Sequence, residues 1–378
     1  MLKFFYPIPR FFTSGETIAG KGSLSSLRTL NATRTLVLTS KSVAQHHSKK
    51  IDKSLGSLDH KIEILESGEP SLDVLKKHID VASDYSPDWI VAIGGGSVLD
   101  AAKALWVFYE HPYTDKERLK RPFSCPPLRR KARLVAVPTT FGTGSEVSST
   151  AVLSYENGQA KNFIVSHELL PDISLLDPEL TMTTPTHVLV HSALDALSHS
   201  VEGYVSKTNN SFLDSQAEKA IEMILEFAKP GIIDKNIGAR SELMNAAMMA
   251  GWVQNIKVPG IGHSIAHALG TYGIGHGQAC GASLPVSVSF NQQDETTAAR
   301  YQRLASITGK ESLSHLIKEL HEALDYSTNL SSLHGKAKEH PSYSQESFVE
   351  GVLSDICTKM NPLEMSQDQL LEMIKDNG

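Results

Sequence analysis

Short apolar runs recur through the first 178 residues and then all but stop, and this change limits the architecture more than any other feature. The runs are Thr35–Thr39 (TLVLT), Lys61–Leu65 (KIEIL), Trp89–Ile93 (WIVAI), Leu134–Val137 (LVAV) and Ile173–Leu176 (ISLL). Most are apolar at consecutive positions, as strands covered on both faces are, and each is too short for a buried helix. Helix-compatible stretches, Leu72–Ser83 and Asp100–Tyr109, lie between them. The alternation predicts an α/β domain with a mostly parallel sheet. After Asp177-Pro178 the pattern switches: residues 186–205, 211–228, 240–255 and 261–269 read as helices, with breaks expected at Pro230, Pro259 and Pro285. The expected division is an α/β domain over residues 1–178 and an all-α domain over 179–378.

A length of 378 residues suits two domains. With 40% hydrophobic and 21% charged residues the chain has the composition of a folded globule. A net charge of -6 offers no electrostatic reason to expect nucleic acid. Cys125, Cys280 and Cys357 form no CxxC pair, which argues against a disulfide framework and a thiolate zinc site. The opening MLKFFYPIPRFFTSGE is broken by prolines and an arginine, unlike a secretory leader, and no run is long enough for a membrane span. The expectation is a soluble protein of a reducing compartment, by default the cytoplasm. Residues 110–133 are dense in Lys, Arg and Pro; a solvated basic loop is favoured over an anion-binding patch, because no glycine turn or helix start organises them. Residues 327–347 read as loop.

WIVAIGGGSVLDAAKAL carries a strand into Gly94-Gly95-Gly96 and then a helix, with Ser97 and Asp100 spaced like a capping box. Glycines let backbone approach a ligand, and a helix N-terminus offers N–H groups and partial positive charge, so a diphosphate is the natural guest. The motif is neither GxGxxG nor GxxxxGK[ST], and alone it also suits a plain tight turn. A second turn, VAVPTTFGTGSEVSS, brings Thr139, Thr140, Thr143 and Ser145 to the end of another strand, where open α/β sheets bind ligands.

The 16 histidines are clustered. In PTHVLVHSALDALSHSVEGY, Asp195 and His199 are one helical turn apart; in PGIGHSIAHALGTYGIGHGQA, so are His263 and His267, and His276 follows beside glycines. Imidazoles and a carboxylate on neighbouring helices could surround a divalent first-row metal. His187 and His191 continue the first stripe, so spacing alone does not choose among them. HExxH is absent from the sequence, which disfavours a zincin peptidase.

Taken together, GGGSVLDAAKA, PTTFGTGSEVS, DPELT, DALSHSVEGY and HSIAHALG…HG resemble, in order, the iron-containing (group III) alcohol dehydrogenase family, from about residue 5 to about residue 291. The resemblance implies a dehydroquinate-synthase-like architecture: a dinucleotide-binding N-terminal domain, a helical C-terminal domain and an active site in the cleft between them. It implies an NAD(P)-dependent oxidoreductase acting on a small alcohol or aldehyde. By position, Asp195, His199, His263 and His276 would hold Fe2+, or Zn2+. His267 would stand near substrate and nicotinamide, as a proton relay or as a positioning group. Gly95, Gly96, Ser97, Asp100, Thr139, Thr140, Thr143 and Lys161 would meet the cofactor; His187 and His191 match no ligand position. One carboxylate and three neutral imidazoles would leave a divalent ion with a net charge of plus one. Family analogy also implies a homo-oligomer, a dimer.

Two departures refine this. Many NAD-using members carry an aspartate at the end of the first strand, where LVLTSKS has Ser40 followed by Lys41; that pair would tolerate or prefer the 2′-phosphate of NADP. In AGWVQNIKVPG, Gln254 and Lys257 make a usually apolar segment polar. This hints at a polar or anionic aldehyde, although a Lys257 facing solvent is the simpler reading. The rival enzymes are a dehydroquinate-synthase-like lyase and a metal-free maleylacetate-type reductase; the bland alternative is a binding protein without turnover.

Overall fold

The computed structural model describes residues 13–375 except 67, 69–70 and 156–159; residues 1–12, part of the N-terminal stretch compared with a leader, lie outside them. The strands are β1 (Glu16–Ala19), β2 (Thr35–Ser40), β3 (His60–Leu65), β4 (Trp89–Gly94), β5 (Arg133–Pro138), β6 (Thr150–Tyr155), β7 (Ala160–Val165) and β8 (Ile173–Leu176). Six form a parallel sheet in the order β1-β8-β5-β4-β2-β3, while β6 and β7 pair as a separate antiparallel hairpin. The sheet is covered by α1 (Lys41–Leu55), α2 (Leu72–Tyr85) and α3 (Gly96–Glu110). Leu36, Leu38, Ile90, Ala92, Leu134 and Ala136 pack on one face; Val37, Val91, Ile93, Val135 and Val137 pack on the other with Leu24, Ile51 and Leu55. Burial on both faces explains why these strands read as continuous apolar runs.

The connection from α3 to β5 is largely exposed, as expected of a solvated loop, but it contains one helical turn, α4 (Lys116–Leu119), and its last residues are organised. The N–H groups of Arg129, Arg130, Lys131 and Ala132 all donate to the Glu110 carboxylate at 2.9–3.2 Å, and Trp106 Nε1 adds a fifth donor. An anion does organise the end of the segment, but it is the protein's own buried glutamate.

After β8, Asp177 is fully buried and accepts from the N–H groups of Gly22 and Leu24 and from Lys50. The DPELT segment thus ties the sheet's edge to the start of the helical region. That region comprises α5 (Thr186–Val205), α6 (Ser211–Ala228), α7 (Ile237–Lys257), α8 (Ile261–Gly270), α9 (His276–Asn291) and α10 (Glu295–Ile307). It continues with α11 (Leu313–Ala323), α12 (Leu330–Lys338), α13 (Gln345–Ser354), α14 (Ile356–Met360) and α15 (Gln367–Lys375). Nearly every residue of α5 from Leu189 onward is buried, as in a helix surrounded by others.

Two expectations fail. Pro285 lies inside α9 between buried Leu284 and Val286, and close packing holds the helix through the lost hydrogen bond. Residues 330–338 form a helix, because Leu330, Leu333 and Ala337 share a buried face and Asn329 caps the start. Among the described residues no helix is long and apolar enough to cross a membrane.

Candidate functional site

The carboxyl ends of β2, β4 and β5 lie side by side on one sheet edge, because all pair in parallel. At the end of β4, Gly95 is the N-cap of α3 and no side chain caps the helix. The capping-box reading of Ser97 and Asp100 is therefore wrong. Asp100 instead accepts from Ser145 Oγ at 2.7 Å and from the Val152 N–H at 3.1 Å, tying α3 to the second turn and the hairpin. With glycine at the cap, the first N–H groups of α3 are left to an anion.

The three glycines have different causes. A Cβ on Gly94 would fall 2.6 Å from the Val98 side chain, and one on Gly96 would fall 2.7 Å from Thr143; both are packing glycines. A Cβ on Gly95 would meet only Thr140, at an ordinary 3.7 Å, and its φ of -73° asks nothing of glycine. The space left over Gly95 suits a closely approaching cofactor.

The second turn joins the two halves of the molecule. Thr139 donates its N–H to the Gly94 carbonyl at 2.9 Å and accepts at its own carbonyl from Thr184 Oγ1. Thr140 and Thr143 are half-buried, and Thr143 Oγ1 accepts from the Ser145 N–H. Gly144 has φ of 59° and lies so close to Gly251 of α7 that no side chain fits. A Cβ on Gly142 would lie 2.7 Å from the carbonyl oxygen of Ser192, three residues before Asp195 on α5. Ser40 ends β2 and caps α1 by accepting from the Val43 N–H, with exposed Lys41 next. Lys161 lies on β7 opposite Ser154, and its side chain is outside the described residues.

The second half of the site comes from α5, α8 and the first residue of α9. His276, His263 and His199 place Nε2 at 3.4, 3.7 and 3.8 Å from Asp195 Oδ1, and ligand atoms of all four residues lie within 4.8 Å of one another. Two donors on one tetrahedral ion at about 2.1 Å each stand about 3.4 Å apart. Asp195 Oδ1 and His263 Nε2 are buried without a hydrogen-bond partner, which is costly unless something else occupies the space between them. The Asp195, His199 and His263 side chains are 3–6% exposed and His276 is 29% exposed, so the cluster is closed on three sides and open on the fourth. The donor set, its spacing and its orphaned atoms fit a divalent cation with an accessible position.

Burial drives the His199 pKa down to about 3, leaving a neutral imidazole with a lone pair to offer. Burial works against the Asp195 carboxylate, yet the surrounding imidazoles hold it well below its ordinary range. His187 and His191 stand apart: their rings meet edge to face, and His191 meets Tyr326. His267 lies beside the open position, stacked on His276 with ring centres 5.3 Å apart and 5.4 Å from Phe163 of the hairpin.

Two carboxylates of this site were not singled out from the sequence. Glu202 Oε2 accepts from His263 Nδ1 at 2.5 Å, and Asp355 Oδ2 accepts from His267 Nδ1 at 2.9 Å. A signal for Glu202 existed, because it follows Asp195 by two helical turns on the same stripe. Asp355 caps α14 far along the chain, beyond the recognisable motifs, and nothing local announced it. Conversely, Lys257 neither faces solvent nor belongs to this site: it is fully buried and pairs with Asp214, donating also to the Tyr204 carbonyl. Its long stem reaches that partner through the core. Gln254 faces the second turn, its Nε2 donating to the Thr143 carbonyl at 3.4 Å.

Comparisons with known proteins agree with this geometry. Residues 14–178 match the family model "Iron-containing alcohol dehydrogenase", and residues 189–378 match the C-terminal model of the same family. The NADPH-dependent butanol dehydrogenase of Clostridium saccharobutylicum is 33% identical, over 97% of both chains. The 1-propanol dehydrogenase of Citrobacter freundii is 30% identical over 95% of this chain and 96% of its own. The solved iron-containing alcohol dehydrogenase of Thermococcus thioreducens superposes with a TM-score of 0.87 at 30% identity, covering 97% of this chain and 98% of that one. With two family models spanning nearly all of the described chain, and full-length relatives beside them, the protein belongs to the iron-containing alcohol dehydrogenase family.

Proposed function

We propose that this chain is a metal-dependent alcohol dehydrogenase and aldehyde reductase that moves hydride between nicotinamide C4 and the carbinol carbon of a small primary alcohol. The observation that carries this reading is the convergence of three imidazole Nε2 atoms on Asp195 Oδ1, in a half-site that abuts the second glycine turn. A bound iron(II) or zinc ion would be held by Asp195, His199, His263 and His276 and would supply a Lewis acid for the substrate oxygen.

The chain's own groups do the rest. Gly95, Gly96 and Ser97 present the N-terminus of α3 to the diphosphate, while Thr139, Thr140 and Thr143 line its other side and Asp100 holds the two turns together. Lys161, by its place on the hairpin, is a further cofactor contact. His267, with Nδ1 held by Asp355, keeps Nε2 to receive or return the proton that accompanies hydride transfer. Ser40 and Lys41 at the end of β2 favour NADP(H), with NAD(H) also used, and the NADPH dependence named for the Clostridium relative supports this. The cofactor domain is residues 1–178 and the ion-holding domain residues 179–378. Three free thiols support a reducing compartment, the cytoplasm, and the family resemblance supports a homodimer.

The test is the metal content of anaerobically purified protein, with butanal reduction by NADPH and by NADH before and after chelation. About one iron or zinc per chain is expected, with activity lost on chelation and restored by Fe2+. Turnover by metal-free protein would overturn the four-residue assignment, and a preference for NADH on the order of a hundredfold in kcat/KM would overturn the cofactor assignment.

A further inference from the structure

Glu202 is a carboxylate 1% exposed, on α5, with the apolar core of the helical region around it. Isolated there, it would be strongly destabilising. Its partners are specific. Oε1 accepts from the Gly262 N–H at 2.7 Å and from Ser287 Oγ at 2.8 Å; Oε2 accepts from the His263 N–H at 3.2 Å and from His263 Nδ1 at 2.5 Å. The space it occupies is kept clear by two glycines: a Cβ on Gly262 would lie 2.7 Å from Oε1, and one on Gly260 would lie 3.3 Å from it. Three helices therefore converge at one carboxylate, and among the described residues the ring nitrogen it accepts from belongs to His263.

We propose that Glu202 is a positioning residue for the ion assigned to the neighbouring cluster: it fixes the Nδ1–H form of His263, aims Nε2 at Asp195, and brings the second negative charge to the buried assembly. The proposal rests on the metal reading above. An imidazole has one N–H and one lone pair when neutral, so anchoring Nδ1–H in an acceptor leaves the lone pair on Nε2, the atom 3.7 Å from Asp195 Oδ1. The charge count follows. A divalent ion with Asp195 alone leaves a net charge of plus one beside three ligands that are 3–6% exposed; adding Glu202 brings the assembly to zero and lowers the cost of burying it.

A purely structural role is the competing explanation, because the same carboxylate caps α8 through the Gly262 and His263 N–H groups. Two variants separate them. Glu202→Gln keeps the shape and removes the charge, and Ser287→Ala leaves the carboxylate and both α8 contacts in place but releases Oε1 from α9. Chelated full-length protein is titrated with Zn2+ against a chromophoric competitor, and the histidine ring nitrogens of the zinc-loaded protein are read by 15N NMR. NADPH binding reports that each variant is folded.

Glu202→Gln is expected to bind Zn2+ about 10- to 100-fold more weakly, with loss of the strongly hydrogen-bonded His263 Nδ1–H signal. Ser287→Ala is expected to weaken binding about threefold and shift that signal. Glu202→Gln protein that binds NADPH and also binds Zn2+ as tightly as the parent would overturn the proposal and leave the metal site standing. If Glu202→Gln does not fold, Ser287→Ala decides, and parental affinity with an unmoved signal would overturn it. Failure of the parent protein itself to bind Zn2+ or Fe2+ would sink the metal reading, and this one with it.

Discussion

The two halves of the site are built from different materials. On the sheet edge, the cofactor half is mostly backbone and hydroxyl: a helix left uncapped at Gly95, a turn wedged against α5 and α7, and threonines at strand ends. In the helical region, the ion half is almost wholly buried charge and imidazole, and two of its histidines are held by carboxylates from other elements. The first half tolerates its surroundings because a diphosphate brings its own charge and can be met by N–H groups in any local context. The second must balance charge in a closed space, so the carboxylates that hold its histidines need a place in the core.

The contrast is open to direct challenge. The largest effect should come from Asp195→Asn. Metal analysis and aldehyde reduction should show the ion gone and kcat/KM lower by about a thousandfold or more, since the Lewis acid and its charge balance go together. Retention of both would end the comparison.

From the cap of α14, Asp355 reaches His267 on the helix that carries His263, and Asp355→Asn tests that support. The expected result is kcat lower by about 10- to 100-fold with cofactor KM unchanged. Its pH signature is also fixed in sign. Burial opposes the Asp355 carboxylate, but the His267 hydrogen bond outweighs it and brings the pKa to about 2, below the ordinary 3.8. A depressed carboxylate stabilises the fold above pH 3.8 and loses that contribution as pH falls through about 2. The stability gap between parent and variant, on the order of 1–2 kcal/mol near neutrality by urea unfolding, should therefore close between pH 4 and pH 2. A gap that stays constant down to pH 2 would contradict the assigned hydrogen bond.

The cofactor half can be sharpened with its own glycines. Gly95→Ala should raise the KM for NADPH about tenfold while hardly changing Tm, because the added Cβ would meet only Thr140, at an ordinary 3.7 Å. Gly96→Ala should lower Tm as well. Thr143 must move for it, and overpacking of this kind costs about 1–3 kcal/mol in thermal unfolding. Equal effects from the two would mean that Gly95 is a packing glycine after all.

Smallest in stability is Ser40→Asp, which keeps an oxygen to cap α1. Thermal unfolding should hardly change, while the kcat/KM ratio should move towards NADH by about tenfold as a carboxylate meets the 2′-phosphate. An unchanged ratio would place the 2′-phosphate elsewhere.

Much of this molecule could be read in one dimension, and the parts that could not share a cause. The helices over 186–205 and 211–228 begin and end where the apolar period predicts, and β8 is the apolar run Ile173–Leu176 itself. The edge strand β1 escaped because Glu16–Ala19 is short and mostly exposed, and an edge strand needs few apolar residues. The hairpin β6–β7 escaped because it stands apart from the main sheet and lacks its continuous apolar run. Pro285 was misread because local propensity alone ends a helix that packing on both sides sustains.

By itself, the sequence determined what contiguous residues decide: parallel strands buried on both faces, two turns at strand ends, and pairs of ionisable groups one helical turn apart. Resemblance then chose among the histidines. Tertiary structure alone decided which side chains meet across distance. It turned the Asp100 carboxylate onto the second turn, gave the basic segment Glu110 as its anion, and sent Lys257 into the core towards Asp214. It also placed Glu202 and Asp355 behind two histidines of α8. The reason is physical: periodicity reports which face of an element is buried, whereas the partner of a buried charge is set by whichever element happens to pack there.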